Sequence, residues 1–397
     1  MSLLARYRGV LSADGAAAAL VLSLVGRLSL GMTGLAILLL VRADTGSYAA
    51  AGAVSAAYSV AFAVGSPGRA RTADRNGPVG VLRWCGLAHP ITLVLLAVLA
   101  KASVPTVLLG VVAIGAGLTV PPLGSVMRAL WAEIVEGPAV ATAYSLESVA
   151  VELCFVIGPG LTAAAAALAG PPVAVVLSGV MTLIGGIGLS RNRAVAAVRP
   201  HPDRVHAFVG PLSSPAVLAL LLTITWVGVG FGAVEIAMPA FAEAHGARPA
   251  AAGVLLAIWS LGSITGGLLY GGLAVSRPAH RQLPVLISLF GVASLLPLLA
   301  HSGLTMALAL FGYGLTIAPF FACNSVLLGS SAPPGTTTEA FAWNASMIFG
   351  GAALGTAAGG SLAQAHGPTA AVTVTAIGGL LAVVTSLSGR RRLLRVN

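Results

Sequence analysis

Long apolar stretches broken by short polar ones run the length of this chain. A helix needs about 20 mostly apolar residues to cross a bilayer. Stretches of that kind predict spans at 16–41, 47–66, 83–100, 105–127, 140–167, 171–189, 214–240, 249–273, 283–301, 304–328, 337–362 and 368–387. The fold class that follows is all-α: a polytopic membrane protein of twelve helices. The longest internal polar stretch, from Ser190 to about Pro211, sets six spans on each side of it. The domain reading is therefore a bundle at 1–189, a central cytoplasmic loop at 190–213, and a second bundle with a short basic tail at 214–397. A 6 + 6 layout suggests two bundles with a path between them.

Composition agrees with lipid as the solvent. Hydrophobic residues make up 57% of the 397 positions and charged residues only 8%, against roughly 25% charged in an average soluble domain. Fifty glycines and 23 prolines would burden a soluble bundle, but membrane helices tolerate both. The three cysteines, Cys85, Cys154 and Cys323, all fall in apolar runs and read as small buried side chains rather than a disulfide framework.

A net charge of +10 first suggests a nucleic-acid partner, but its distribution argues for an orientation signal. With the N-terminus inside, the inside segments hold Arg6, Arg8, Arg69, Arg71, Arg75, Arg83, Arg128, Arg191, Arg193, Arg199, Arg204, Arg277, Arg281 and the tail arginines 390, 391, 392 and 395. The outside segments hold only Arg42, Lys101 and Arg248, and Arg27 lies within a span. This asymmetry places both termini in the cytoplasm of a cell whose inner membrane the chain crosses.

Charges inside spans are costly and usually face a bundle interior or a cavity. Arg27 lies about eleven residues into the first span, near half depth. It reads either as a substrate or counter-ion contact or as a structural ion pair. Glu152 lies at matching depth in the fifth span, so a Glu152–Arg27 pair is expected. Glu147, five residues earlier, points about 140° away from Glu152, so the two do not share one site. An unpaired carboxylate at either position could carry a coupling proton. Glu235 follows Gly228, Gly230 and Gly232 and precedes Pro239, in a helix suited to bending. It is a second candidate proton or cation site, against a bland reading as an interfacial carboxylate. Glu339, after Thr336, Thr337 and Thr338, reads as a first-turn carboxylate favoured by the helix dipole. Tyr144, Trp226, Trp259, Tyr313, Asn324, Trp343 and Asn344 are further cavity candidates, or else interhelical glue and interface anchors. The seven histidines have no ligand spacing, and no Walker loop or dinucleotide fingerprint appears. No cofactor, metal or catalytic constellation is expected.

Two motifs carry a family resemblance. After the second span, the run Gly65-Ser66-Pro67-Gly68-Arg69-Ala70-Arg71-Thr72-Ala73-Asp74-Arg75-Asn76-Gly77-Pro78 resembles the signature of the major facilitator superfamily between its second and third helices. Gly68, Asp74, Arg75 and Gly77 match it, while Pro78 stands where basic residues follow in the family. The resemblance implies a loop that pins helix ends and controls the swing between states, with Asp74 capping a helix or pairing with Arg71, Arg75 or Arg128. In the fifth span, Gly158-Pro159-Gly160 resembles the glycine–proline motif of the drug and proton antiporters, with Thr162 and Ala163 where more glycine is usual, and such a pair gives a bend and a close helix contact. The segment Arg27–Met32, with Gly262-Ser263 and Gly266-Gly267, is similar to bacterial efflux permeases of the actinobacterial type.

What these resemblances imply is a monomeric transporter working by alternating access on a small organic, hydrophobic or amphipathic compound, exported against proton influx. Two alternatives remain open from the sequence. One is a facilitator or symporter importing a nutrient such as a sugar or amino acid. The other is a membrane sensor or assembly protein that transports nothing.

Overall fold

The computed structural model describes residues 3–102, 104–200, 209–246, 250–273 and 277–393. The middle of the central loop, with His201, Arg204 and His206, lies outside these residues, as do Arg248 and the end of the tail.

The described chain is helical. Among the described residues eleven stretches are long and apolar enough to cross a membrane, with Thr106–Ile134 and Ala279–Leu299 each counted as one; the helix over the stretch read at 337–362 is not among the eleven. In the first half a short α1 (Leu3–Leu11) precedes α2 (Ala16–Thr45), α3 (Tyr48–Asn76) and α4 (Pro78–Lys101). Next come α5 (Thr106–Leu118), α6 (Leu123–Ile134), α7 (Ala139–Ala169), α8 (Pro171–Ser190) and a short α9 (Arg193–Ala197). The second half holds α10 (Pro215–Ala244), α11 (Ala250–Gly272), α12 (Ala279–Ala293), α13 (Gly303–Ser331), α14 (Thr337–His366) and α15 (Pro368–Leu393). Within the first half α2 packs on α7 and α8, and α4 on α8. Within the second, α10 packs on α14 and α15, and α11 on α13. The outer surface is apolar, with Ile91, Val98, Val107, Val254, Leu308 and Val384 all exposed, as a lipid-facing surface requires.

Three expected boundaries move, each for a local reason. The fourth span breaks into α5 and α6 at Thr119–Pro122. Pro121 and Pro122 have no N–H to donate and push the preceding residues out of helical geometry. The opened carbonyl end of α5 is met by side chains: the Arg69 guanidinium donates to the Leu118 carbonyl at 2.6 Å, and His89 Nδ1 lies 2.9 Å from the Ala116 carbonyl. The helix read at 47–66 runs on to Asn76, so Gly68, Asp74 and Arg75 are helical and only Gly77, at φ 82°, makes the turn. The run Arg-Ala-Arg keeps good helix formers beyond the apolar layer. The span at 283–301 ends as α12 at Ala293 and continues in a short 3-10 turn around Pro297.

The glycine–proline motif makes the close contact its composition implies. A Cβ on Gly158 would stand 2.9 Å from the Gly31 Cα, so α7 and α2 touch backbone to backbone there.

Candidate functional site

Arg27 of α2 is buried, and so is its partner. That partner is Glu147, not Glu152 as the depth argument expects. Arg27 Nη1 donates to Glu147 Oε2 at 2.7 Å and Nη2 to Oε1 at 3.4 Å. Only 2% of the Arg27 side chain and none of Glu147 reaches solvent. The correction has a geometric cause. Helical side chains lean toward the N-terminus of their own helix, so a long arginine reaches a turn below its Cα. Arg27 Nε bonds the Ser23 carbonyl one turn back, and the guanidinium meets Glu147 about 7.5 Å below Glu152. Trp131 Nε1 on α6 adds a third donor to Glu147 at 3.2 Å. Arg27 thus lies inside the first half as one member of an ion pair.

Glu152 faces the other way and joins the two halves. Its Oε1 accepts from Ser263 Oγ on α11 at 2.8 Å, and it forms no salt bridge among the described residues. Sequence reading missed Ser263 as its partner; a hydroxyl beside glycines in an apolar run is the only local signal.

Further ties between the halves lie toward the face that carries both termini. Arg71 donates to Glu339 twice, Nη2 to Oε1 at 2.6 Å and Nε to Oε2 at 2.9 Å. Asp74 accepts from the backbone N–H groups of Thr338 at 3.1 Å and Glu339 at 2.9 Å. Asp74 therefore caps α14, whose own Thr336 supplies no side-chain cap. Of the roles open to Asp74, capping is formed, across 264 residues of chain. Glu339 is more than a first-turn carboxylate: it is 1% exposed and ion-paired across the halves, and Trp343 Nε1 donates to it at 3.4 Å. Arg75 is exposed beside this knot, and at Gly68 an added Cβ would meet nothing. Tyr7 Oη donates to the Leu268 carbonyl at 2.8 Å, Thr142 Oγ1 to that of Gly271 at 2.8 Å, and Ser145 Oγ to that of Gly267. Ser346 Oγ donates to the Ala63 carbonyl at 2.6 Å, and the Phe62 and Phe349 rings meet edge to face at 5.6 Å.

Beyond that level the halves diverge. In α7, Ala143, Tyr144, Ser145 and Glu147 to Ala150 are buried, whereas Phe155, Val156 and Ile157 are all exposed. Three successive helical positions cover about 200° of circumference. A helix packed by its own bundle on one side and by the other half on a second side could not expose all three. An opening therefore begins above the Glu152–Ser263 contact.

The remaining candidates fall on both sides of that contact. Glu235 is exposed on α10 and forms no hydrogen bond or ion pair among the described residues. Asn324 Nδ2 donates to Asn344 Oδ1 at 3.1 Å, both buried, so this pair is a link between α13 and α14. Arg128 forms no ion pair among the described residues: its Nε has no partner, and its backbone carbonyl accepts from Tyr144 Oη at 3.1 Å. Pro159 lies inside α7 just beyond the Gly31–Gly158 contact. No cluster of three potential metal ligands occurs among the described residues.

Comparison with known proteins places this geometry. The family model described as Major Facilitator Superfamily matches residues 19–287 and 220–394. No curated protein matches the chain in sequence. Among solved structures, the chain is similar to a bacterial homologue of the iron transporter ferroportin in an outward-facing state, with TM-score 0.77 and 13% identity over 95% of this chain and 99% of that one. It is also similar to the human organic anion transporter MFSD10 (TETRAN), with TM-score 0.72 and 16% identity over 96% and 99% of the two chains. The proton:xylose symporter XylE bound to 6-bromo-6-deoxy-D-glucose follows at TM-score 0.65 and 14% identity over 94% and 95%. At these identities the structures share the fold alone. The family match spans both halves of the molecule, so the chain belongs to the Major Facilitator Superfamily.

Proposed function

We propose that this chain, a secondary transporter that moves a small molecule by alternating access, is an exporter of an apolar or amphipathic organic compound driven by proton influx. The two rocking units are residues 1–189 and 214–397, joined by 190–213, and the knotted face is cytoplasmic, as the basic residues argue. In this reading the conformation is closed to the cytoplasm and open outward.

The observation that carries the proposal is Glu152. It is a carboxylate at the floor of the opening whose recorded partner is a hydroxyl on the opposite half. A protonated carboxyl can donate to a hydroxyl or accept from it, so a proton there is compatible with the closed contact. An ionised carboxylate without a cation prefers water, which favours parting α7 from α11. Proton binding and the swing between states are then one equilibrium. Glu147 is a poorer carrier, because Arg27 and Trp131 already donate three hydrogen bonds to it.

The test is transport by the purified chain in vesicles with an imposed pH gradient. Glu152→Gln should abolish gradient-driven accumulation while leaving exchange of labelled for unlabelled compound intact. Wild-type transport that ignores collapse of the proton gradient overturns the coupling.

A further inference from the structure

The substrate reading above leaves the charge of the compound open, and the second half of the molecule bears on it. Glu235 stands four residues beyond Phe231 on α10, so the two lie within about 40° of each other on the helix. Phe231 is half-buried, and its ring meets Trp259 of α11 edge to face at 4.9 Å and Phe321 of α13 at 6.0 Å. Behind them Tyr313 packs against Trp259 at 5.8 Å. Glu235 is thus exposed one turn above an aromatic wall.

Two features separate this wall from ordinary core. Trp259 is 9% exposed and Tyr313 fully buried, yet Trp259 Nε1 and Tyr313 Oη have no hydrogen-bond partner. Buried polar groups are nearly always satisfied, so the Trp259 indole N–H is left for a bound group to take up, whereas Tyr313 Oη lies against Gly230 inside the bundle. The second feature is charge. Neither α11 nor α13 contains a single charged residue. On α14 the ionisable residues are Glu339, at the knotted face, and His366, at the opposite end. On α10 itself the other is Glu243, also acidic. The basic residues of α12 and α15, His280, Arg281 and arginines 390–392, lie at the end of the molecule away from Glu235. Across the opening Arg27 is already neutralised by Glu147. Among the described residues, exposed Glu235 has no basic partner in an ion pair.

We propose that this wall is a binding site for an organic cation with an apolar body. The aromatic faces of Phe231 and Trp259 attract the charge and the apolar groups together, and Glu235 is its counter-ion. Glu152, about one turn below the level of Trp259 through its contact with Ser263, places a second acidic group at the floor. The aromatic wall confers tolerance of shape, and the carboxylate confers selection by sign.

The proposal rests on the transporter reading, and equilibrium binding without any gradient separates it from the coupling claim. The full-length chain in detergent is dialysed against three probes of similar size: tetraphenylphosphonium, neutral triphenylphosphine oxide and the anion tetraphenylborate. The cation should bind most tightly. Glu235→Gln should weaken the cation by about tenfold, the loss of one partly desolvated charge contact, and leave the oxide unchanged. Glu235→Asp should retain preference for the cation, and Phe231→Ala should weaken cation and oxide alike. Unchanged thermal unfolding of Glu235→Gln shows that the variant is folded. Equal binding of cation and oxide overturns the proposal, as does tighter binding of the anion, binding of none of the three, or indifference to Glu235→Gln. Selective binding with transport that ignores a pH gradient would instead sink the coupling and leave this site standing.

Discussion

The Arg27–Glu147 pair permits a quantitative test of what holds the first half together. Glu147 is fully buried and Arg27 is 2% exposed, so neither charge has access to water. Removing one partner of such a pair leaves the other charge buried and uncompensated, at a cost of about 3–5 kcal/mol. Glu147→Leu also strands the Trp131 indole N–H, whose lost acceptor costs about 1–3 kcal/mol more. Glu147→Leu alone should therefore lower the unfolding free energy by roughly 4–8 kcal/mol. The double variant Arg27→Leu/Glu147→Leu removes both charges and should recover most of that loss, since apolar replacement of a buried pair is often neutral. The assay is reversible unfolding of the purified chain in a fixed detergent or bilayer, run as a double-mutant cycle. Residues in one network couple by about 0.5–3 kcal/mol or more, whereas independent sites add. If Glu147→Leu costs the same with Arg27 present as with Arg27→Leu in the background, the two do not interact and the pair is refuted. The same cycle with Glu152 in place of Glu147 should be additive, because Glu152 bonds Ser263 instead.

Other outcomes follow from the contacts between and within the halves. Arg71→Ala or Glu339→Gln should loosen the knot and shift the population toward the other conformation, because each removes one side of a tie that spans the halves. A cysteine introduced at Thr337 should then react faster with a membrane-impermeant thiol reagent added from the cytoplasmic side; the native Cys85, Cys154 and Cys323 are all buried and add little background. An unchanged labelling rate would show that the tie does not bias the equilibrium. Gly158→Leu should destabilise the first half by about 1–3 kcal/mol through overpacking, since its Cβ would strike the Gly31 backbone. Unfolding measurements on Gly158→Leu and Gly158→Ala check this, the larger side chain being the worse. Asn324→Leu should cost about 1–3 kcal/mol by leaving the Asn344 carbonyl oxygen buried without its donor, read in the same unfolding assay.

Hydropathy and charge placement alone determined that the chain is an all-α membrane protein of many apolar helices. Those properties come from solvent preference, which each segment expresses by itself: about 20 apolar residues in a row have nowhere to go but lipid. Local chemistry also predicted the Gly158 contact, since a residue without a side chain invites a backbone neighbour. Pairing was another matter. Sequence depth matched Arg27 with Glu152, yet the lean of an arginine toward its own helix start delivered it to Glu147. Glu339 looked like a residue serving its own helix, and only the arrival of α3 beside α14 made it the partner of Arg71. Phe231 is one apolar residue among many on α10 until Trp259 and Phe321 stand around it. A hydrophobic pattern records how deep a residue lies and whether it faces lipid. Which helix it touches depends on rotations and crossings set by every other helix at once, and these exist only in the assembled bundle.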